Sequence, residues 1–440
     1  MPPQVPTTDC QNPTFCFAEH PLRARLAEEV HARPYEALQM PVRVSHLAVI
    51  NGEQAQGADW AHLQGLCGRA GIVPPLADDL CFTADFDDFR LRWERHTEFS
   101  TYTFYIFGSF TDPFAETAIS RVPVDWLESL PGLVLAACHL AADGILRDGA
   151  EMQSLFAGHP VVGSKVVSGA AELFTDFYLH DDGFGRILIY DLGLTAGQTG
   201  RLIQRLTEME TYRAMALLAF PAARRLGPQL TQLDSTLTQI VAAMAGPPGE
   251  TADRQLLDRL ITLAAEAEHR GAEHGYRFSA ARAYYGLVAK RIQDLREERI
   301  TGMQTIIEFM DRRLGPAMST IDSIVHRHAS LSQRIARAAD LLRTRVDIAL
   351  DEKNRDLLRS MDRRAALQLR LQETVEGLSV VAISYYLLGL LGYLAKGMKA
   401  IGLHLDTDLV GMIGLPVVAG LVMLGVRRVR NAIGHGKDEA

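Results

Sequence analysis

Hydrophobic and polar positions change their spacing along the chain, and the changes divide it into three regions. Up to residue 195, short runs of alternating or β-branched residues are separated by turn residues, which predicts strands with a few helices between them. After Thr195 the apolar residues recur every three or four positions, which predicts long helices. From Gly377 onward the chain contains two almost continuous apolar runs, which have the composition of membrane-spanning helices.

The first region is predicted to be an α/β domain over residues 19–195. A polar, proline-rich tail over residues 1–18 precedes it, and we expect that tail to be disordered. Apolar residues four positions apart predict a helix at His20–Pro34, and a second helix is predicted through Trp60–Ala70.

The strands of this domain are predicted from alternation and from aromatic and β-branched density, at Val42–Ile50, Phe89–Phe107 and the hairpin Leu173–Leu192. The apolar run Leu133–Ala141 fits either a buried strand or an apolar helix. The glycine-containing segment Gly158–Gly169 lacks the spacing of a phosphate loop and is expected to be a surface loop.

The second region is predicted to be a helical domain over residues 196–316. Its first helix follows Thr195 until Pro221 bends or stops it, and a longer helix is expected from about Arg254 to Leu314. Leu314-Gly315-Pro316 is predicted to be a corner. A stalk helix over residues 317–376 would then run antiparallel to the preceding one.

The third region is predicted to contain two membrane-spanning helices, over residues 377–394 and 409–426, joined by a loop over residues 395–408. At 1.5 Å per residue the first run is about 27 Å long, close to the thickness of the bilayer hydrocarbon. Arginines flank both runs and continue into a tail over residues 427–440, so both termini are expected in the cytoplasm. The flanking arginines are Arg359, Arg363, Arg364, Arg370, Arg427, Arg428 and Arg430.

Composition excludes some classes of function. The chain has 440 residues and a formal charge of −8, which argues against general nucleic-acid binding because such proteins present a basic face. Its five cysteines have no CxxC or metal-type spacing, and the N-terminus lacks the pattern of a cleaved signal peptide. Enzyme signatures such as GxSxG, HExxH and the P-loop are absent, so we do not expect an enzyme.

Candidate pore-lining residues lie on the stalk and the first apolar run. A stripe through Ile335, Leu342, Leu357 and Met361 requires a partner helix, either the preceding one or copies in other subunits. Asn354 interrupts this stripe and is a register-setting or exposed residue, or alternatively lines a pore. In the apolar run, helix packing or pore lining would explain the small and hydroxyl-bearing residues Ser384, Tyr385, Gly389 and Gly392.

Candidate ligands for a divalent cation lie in the first domain. Glu29 and His31 alternate beside a proline, and Glu94, His96 and Glu98 alternate along a predicted strand. Alternation places each set on one side of an extended segment, where histidine and carboxylate can bind a metal or a proton. The alternative is that these residues face solvent or form ordinary hydrogen-bonded pairs.

The order of an α/β domain, two long helices, a stalk and two spans joined by a short loop looks like that of the CorA-type divalent-cation transporters. The segment RVDIALDEKNRDLLRSMDRR is similar in character to their stalk. This resemblance implies a homo-oligomer, with a pentamer favoured, whose first span lines a central pore. The chain has Gly392-Tyr393-Leu394 where that family has Gly-Met-Asn, so magnesium selectivity does not carry over.

Four phrases also resemble a bacterial family of membrane-anchored proteins with no assigned activity. They are EVHARP, RWERHTEFSTYTF, QRLTEMETYRAMALL and LQETVEGLSVVAISYY, which begin at Glu29, Arg92, Gln204 and Leu371. The sequence therefore predicts an α+β, CorA-like protein of the bacterial inner membrane with most of its chain in the cytoplasm. The first functional hypothesis is an ion channel or transporter. The second is a membrane-anchored scaffold or regulator, and the third is an enzyme or metal-binding head domain.

Overall fold

The computed structural model describes residues 20–24, 26–27, 34–51, 57–247, 249–400 and 407–434. Glu29 and His31 lie outside these residues. The chain forms two compact units. The head unit comprises Met1–Ala243 and Asp258–Ala338, and the C-terminal unit comprises Met244–Leu257 and Ala339–Ala440. The expected boundaries at residues 195 and 316 fall inside the head unit.

A nine-stranded mixed sheet forms the centre of the described head unit, in the order β2-β3-β4-β1-β5-β8-β7-β6-β9. Neighbouring strands are antiparallel, apart from the parallel pair β5 and β8. The strands are β1 Val42–Ile50, β2 Cys81–Asp85, β3 Arg90–Arg95, β4 Phe99–Phe107, β5 Leu133–Asp143, β6 Val162–Val166, β7 Ala171–Thr175, β8 Gly185–Asp191 and β9 Glu298–Arg299.

The central strand β1 confirms the strand predicted at these residues and pairs on both sides. Val44 lies opposite Tyr105 of β4 and Leu140 of β5. All of β1 except Ile50 is buried, as expected for a strand that is covered on both faces.

One face of the sheet packs against short helices. These are α1 Ala58–Ala70, a 3₁₀ turn Ala118–Arg121 and α2 Val124–Glu128; a further short helix, α3, spans Gly149–Leu155. Trp93, Tyr102 and Phe104 from the sheet pack with Leu63 of α1 and Trp126 of α2 in one buried cluster. Removal of one such aromatic side chain typically costs about 3–5 kcal/mol, so this cluster is a main source of stability.

The segment Gly158–Gly169 was expected to be a surface loop, and that expectation is wrong because it contains β6. β6 pairs with β7 and also with β9, which lies far along the chain at Glu298–Arg299. The hairpin with β7 is local, but the pairing with β9 joins segments so far apart in sequence that it leaves no local signal.

Helix α4, Ala196–Leu217, begins at a capping box. The Gln198 backbone amide donates to Thr195 Oγ1 (3.3 Å), and Gln198 Oε1 accepts from the Thr195 amide (2.9 Å). Helix α5, Phe220–Met244, starts one residue before Pro221, where the sequence predicted a bend or stop. Proline is tolerated there because the first turn of a helix does not use its backbone amides.

The reversal predicted at Leu314-Gly315-Pro316 is wrong. Helix α6 spans Glu250–Asp294, and α7 begins at Ile306 and continues through Pro316 to Ala400. A capping box starts α7, since the Glu308 amide donates to Thr305 Oγ1 and the Thr305 amide donates to Glu308 Oε2. A proline inside a helix costs about 3 kcal/mol, and burial on both sides of Pro316 offsets that cost. The buried neighbours are Leu314, Met318 and Ile321.

Within the head unit, α6 and α7 are antiparallel, as predicted. Arg282 of α6 contacts Asp322 of α7, whereas Ala267, earlier on α6, accepts a hydrogen bond from His328, later on α7. Arg334 of α7 pairs with Asp234 of α5, which packs beside it.

In the C-terminal unit, the end of α5 and the first turns of α6 contact α7. Arg345 of α7 donates to the carbonyl of Met244 and pairs with the buried Asp253 (3.2 Å). Helix α8 spans Thr407–Gly434. The segment between Ala400 and Thr407 lies outside the described residues.

Two helices in the described chain, α7 and α8, are long and apolar enough to cross a membrane. Only 11 % of the apolar window of α7 and 6 % of that of α8 is buried, whereas the core helix of a soluble protein would be mostly covered. The structure thus confirms a mixed α/β architecture with long helices and two apolar helices near the C-terminus.

Candidate functional site

The proposed ligands Glu94, His96 and Glu98 do not share one strand. Strand β3 ends at Arg95 and β4 begins at Phe99, so His96 and Glu98 lie in the hairpin turn. The expected alternation along a strand is wrong because the chain reverses direction between these residues. The His96 backbone amide donates to Phe99 (2.9 Å), which closes the turn.

The three side chains contact different partners. Glu94 accepts from the buried Arg92 (2.7 Å), and the His96 ring stacks on Phe99 with its centroid 4.4 Å away. The geometry therefore does not bring these residues together as one ligand set.

Glu98 instead connects the β3–β4 turn to α6. Its carboxylate accepts hydrogen bonds from Tyr284 Oη (2.7 Å) and Arg277 Nη1 (2.8 Å). Burial and the hydrogen bond to Glu98 both raise the pKa of Tyr284. A carboxylate with two such donors within one unit has a structural role in holding α6 on the sheet.

The side chains of Ser45, His139 and Asp182 lie in a row, each close to the next. No spacing of these residues in the sequence indicated that they meet. Ser45 Oγ lies 2.9 Å from His139 Nδ1, and His139 Nε2 lies 3.7 Å from an Asp182 oxygen. Ser45 and His139 are buried, and Ser45 Oγ also accepts from the backbone amide of Ile119 (3.1 Å). A substrate has no route to this hydroxyl in the described conformation, so the row joins β1 to β5.

A stripe along α7 contains four of the five predicted pore-lining residues. Its members follow one another at alternating steps of four and three positions, and we call them the α7 stripe: Leu350, Asn354, Leu357, Met361, Arg364, Gln368, Leu371, Val375, Leu378, Ala382, Tyr385, Gly389 and Gly392. Steps of four and three place neighbouring members on one face of a helix, and the whole stripe stays on one face where helices supercoil, because a straight helix turns such a stripe by about 20° per seven residues.

The chain itself leaves the α7 stripe uncovered. All of its members are exposed except Gly392, which is half-buried. Met361 is 64 % exposed in the polar segment, and Tyr385 is 75 % exposed in the apolar one. Apart from adjacent residues and the backbone of α7 itself, the described chain has no atom within 4 Å of the position that a Cβ would take at Gly389 or Gly392, so a second helix could approach closely there.

Ser384, the fifth predicted residue, lies on a different face of α7. Ser384 and Ala395 are buried, and Leu388 between them contacts the Gly414 position of α8 at 3.7 Å. Because successive residues of a helix are rotated by roughly 100°, the face with Ser384 lies about a quarter turn from Tyr385 and Gly389. The structure thus brings Tyr385, Gly389 and Gly392 onto one face of α7 and places the buried Ser384 on the face that contacts α8. Asn354 lies much earlier on α7 and shares that face where the helix supercoils.

The polar members of the α7 stripe determine which chemistry it can perform. Asn354, Arg364 and Gln368 precede the apolar run, whereas Tyr385 lies inside it. If copies of α7 surround an axis, these side chains form rings of amides, guanidinium groups and hydroxyls. Such rings are the elements from which ion paths are built in channels.

Comparison with known proteins gives a family without an assigned function. The model of the family described as "Protein of unknown function (DUF3422)" matches residues 18–433. No curated protein matches the chain.

Proposed function

We propose that this chain, which belongs to the family of proteins of unknown function DUF3422, is a homo-oligomeric integral protein of the bacterial inner membrane that conducts ions. The α7 stripe is the observation that carries the proposal. It passes from a charged segment into an apolar one, and its own chain leaves it uncovered on both sides of that change.

A second copy of the same helix is the partner that fits the stripe. A soluble protein would cover only the charged part of the stripe, from Leu350 to Val375. Lipid would cover only the apolar part, from Leu378 to Gly392. A parallel copy of α7 changes from charged to apolar at the same height and so matches the whole length. Heptad spacing of this kind is typical of parallel helices that wind around each other.

More than two copies are favoured by the width of the apolar surface. Leu358, Ala365 and Leu369 lie beside the stripe and are also exposed. A two-stranded coiled coil buries only a narrow seam, whereas a ring of helices contacts a neighbour on either side. The resemblance to CorA-type transporters implies a pentamer, with α7 around a central path.

The proposed path would be formed by Asn354, Arg364, Gln368 and Tyr385. The arginines that flank the two apolar runs favour a cytoplasmic location for the head unit and for both termini. We propose divalent cations as the first substrates to test, because that is the class implied by the resemblance, and chloride as the comparison, because a ring of Arg364 guanidinium groups favours anions. Gly392-Tyr393-Leu394 differs from the Gly-Met-Asn of that class, so selectivity among these ions is part of the test.

Copies of α7 should crosslink through the stripe in the native membrane. Met361→Cys places a thiol on the stripe, and Arg359→Cys places one on the opposite, equally exposed face. With a short thiol crosslinker, we expect dimers and higher species from Met361→Cys, because equivalent positions of parallel helices meet near the axis. The protein without either substitution shows how much crosslinking comes from its native cysteines. Equal crosslinking of the two variants would contradict the assembly.

Ion flux into proteoliposomes tests conduction. We expect Mg²⁺ or Co²⁺ to enter vesicles that contain the protein, and Gly389→Leu to reduce entry by at least about tenfold because it fills the close approach between helices. Leu390→Phe adds bulk at the adjacent position on another face and should leave the flux nearly unchanged. If vesicles that contain the crosslinked oligomer show no cation-dependent flux, the proposal that the protein is a channel is wrong.

A membrane-anchored scaffold is the second candidate, and the small residues of the stripe favour it. Ala382, Gly389 and Gly392 permit helices to pack closely without water between them. An oligomer that crosslinks through Met361→Cys but passes no ions would support this function.

A further inference from the structure

We propose that His159, Asp176 and His180 in the head unit form a binding site for a divalent transition-metal ion. His159 Nδ1 lies 2.8 Å from Asp176 Oδ2, and His180 Nε2 lies 2.9 Å from the same oxygen. The three candidate ligand atoms lie within 4.8 Å of one another. This inference concerns the head unit and is independent of ion conduction.

Two short segments bring the three side chains together. His159 follows α3 and the residues Ala157 and Gly158, whose φ angles of 52° and 78° turn the chain back. Its backbone amide donates to the carbonyl of Phe156 (2.9 Å). The turn thereby directs the imidazole toward the end of β7.

Asp176 and His180 come from the connection between β7 and β8. Asp176 follows the last residue of β7, and its Oδ1 accepts from the backbone amide of Tyr178 (3.2 Å). That bond fixes the carboxylate, so Oδ2 faces both imidazoles. The His180 amide donates to Phe184 (3.0 Å), which holds the other end of the connection.

The nitrogen of His180 is the strongest sign of a missing ligand. Its side chain is only 3 % exposed, yet Nε2 makes no hydrogen bond to any part of the described chain. The atom lies beside Asp176 Oδ2 without the alignment that a hydrogen bond requires. Buried polar atoms almost always have a partner, so an unpaired one calls for an explanation.

The distances fit a metal ion after a small adjustment. Zinc binds imidazole nitrogen and carboxylate oxygen at about 2.0–2.2 Å, so tetrahedral ligands lie about 3.4 Å apart. The two contacts to Asp176 would therefore open by roughly half an ångström, and the two imidazole nitrogens, which lie within 4.8 Å of each other, would move to the same spacing of about 3.4 Å. His159 can provide that shift because its side chain is 33 % exposed and stacks on the exposed Tyr178.

The donor set indicates the class of metal. Two imidazole nitrogens and one carboxylate favour Zn²⁺, Fe²⁺ or a similar ion over Mg²⁺ and Ca²⁺, which prefer oxygen ligands. Three protein ligands leave at least one position for water, as in metal sites that exchange ligands or perform chemistry. The partial exposure of His159 gives the ion a route from solvent.

Metal retention by the full-length protein in detergent tests the site. After treatment with EDTA, incubation with Zn²⁺ and desalting, we expect the parent protein to retain one more ion per chain than His159→Gln or His180→Gln. Loss of one ligand should weaken zinc binding at least about tenfold. Even the mutation of a residue that only hydrogen-bonds to a metal ligand lowers metal affinity by about that factor or more. His274→Gln, a half-buried histidine on α6, is the matched control and should retain zinc like the parent.

Two further readouts separate binding from misfolding. Zn²⁺ should raise the thermal unfolding temperature of the parent and of His274→Gln but not that of His159→Gln, because only an intact site gains stability from the ion. Co²⁺ should give visible absorption bands in the parent that Zn²⁺ abolishes. Equal zinc retention by the parent and by a folded His159→Gln, or no retention by the parent, would overturn the proposal.

Discussion

Gly200→Ala is expected to destabilise the head unit by roughly 3 kcal/mol or more, a large effect for one methyl group. A Cβ at Gly200 of α4 would overlap the carbonyl oxygen of Glu36 and lie 2.8 Å from the carbonyl carbon. Both atoms belong to backbone, so they cannot rotate away as a flexible side chain would. The segment would have to move away from α4.

The segment beside Gly200 is fixed at more than one point, which is why the cost is high. The Leu38 amide donates to the carbonyl of Ala196 (3.0 Å), and the Leu38 side chain is buried. Displacement would break this bond and expose Leu38. Alanine is otherwise favoured over glycine in a helix by up to about 1 kcal/mol, so a loss of stability would come from the contact alone.

Urea unfolding monitored by tryptophan fluorescence measures this effect, since Trp60, Trp93 and Trp126 all lie in the head unit. Gly275→Ala on α6 is the matched control, because its Cβ would have no neighbour within 4 Å. We expect that control to be neutral or stabilising. If Gly200→Ala were equally stable, the packing of residues 34–38 on α4 would be incorrect.

Lowering the pH from about 6.5 to 4 is expected to destabilise the head unit steeply through two buried histidines. His46 lies between the sheet and α4. Its Nδ1 forms a hydrogen bond with Thr103 Oγ1 (2.8 Å), and its Nε2 forms one with Thr211 Oγ1 (2.9 Å). Burial and the nearby His96 lower the pKa of His46 to about 3. The pKa of His139 is lowered to about 4, chiefly by burial. Asp182 raises this pKa, and Arg186 and His180 lower it.

The sign of the effect follows from the protons bound in each state. Between pH 6.5 and 4 the unfolded chain protonates both imidazoles, whereas the folded chain keeps His46 neutral and protonates His139 only as the pH approaches its pKa of about 4. Stability present above pH 6.5 is therefore lost as the pH falls, by about 1.4 kcal/mol per pH unit for each imidazole.

The comparison of variants isolates His46 from the carboxylates that also titrate in this range. Unfolding midpoints in urea between pH 4 and 7 should fall less steeply for His46→Gln than for the parent, by the contribution of about one proton. His274→Gln serves as the control and should keep the slope of the parent. An unchanged slope for His46→Gln would mean that His46 is protonated in the folded state.

The elements with a strong local pattern were predictable from sequence. Val42–Ile50 alternates and forms β1 over those residues, and the apolar run Leu133–Ala141 forms most of β5. The start of α7 was missed, although Thr305 and Glu308 have capping-box spacing that marks it. Pro316 was given too much weight because the burial that offsets its cost is a property of the packed structure.

The residues of the candidate sites also divide into those that could be grouped from sequence and those that could not. Tyr385, Gly389 and Gly392 could be grouped from sequence because one helix carries them within two turns, and the period of a helix is fixed by its backbone. Asn354 belongs with them only through the heptad spacing of a supercoiled helix. The side that α8 covers was not predictable, so Ser384 was grouped with them. His159, Asp176 and His180 come from two segments with no recognisable spacing, and no sequence pattern selected them.

The sequence by itself determined the helices and strands that have a strong local pattern and the runs that are apolar enough for a membrane, because these properties depend on neighbours within a few residues. Only the tertiary structure decided which polar groups meet. The separation between His159 and His180, like the contact between Gly200 and Glu36, depends on how the sheet and helices pack across long intervals of chain. Burial adds a cost to every polar group left unpaired in that packing, and His180 Nε2 was identified through that cost.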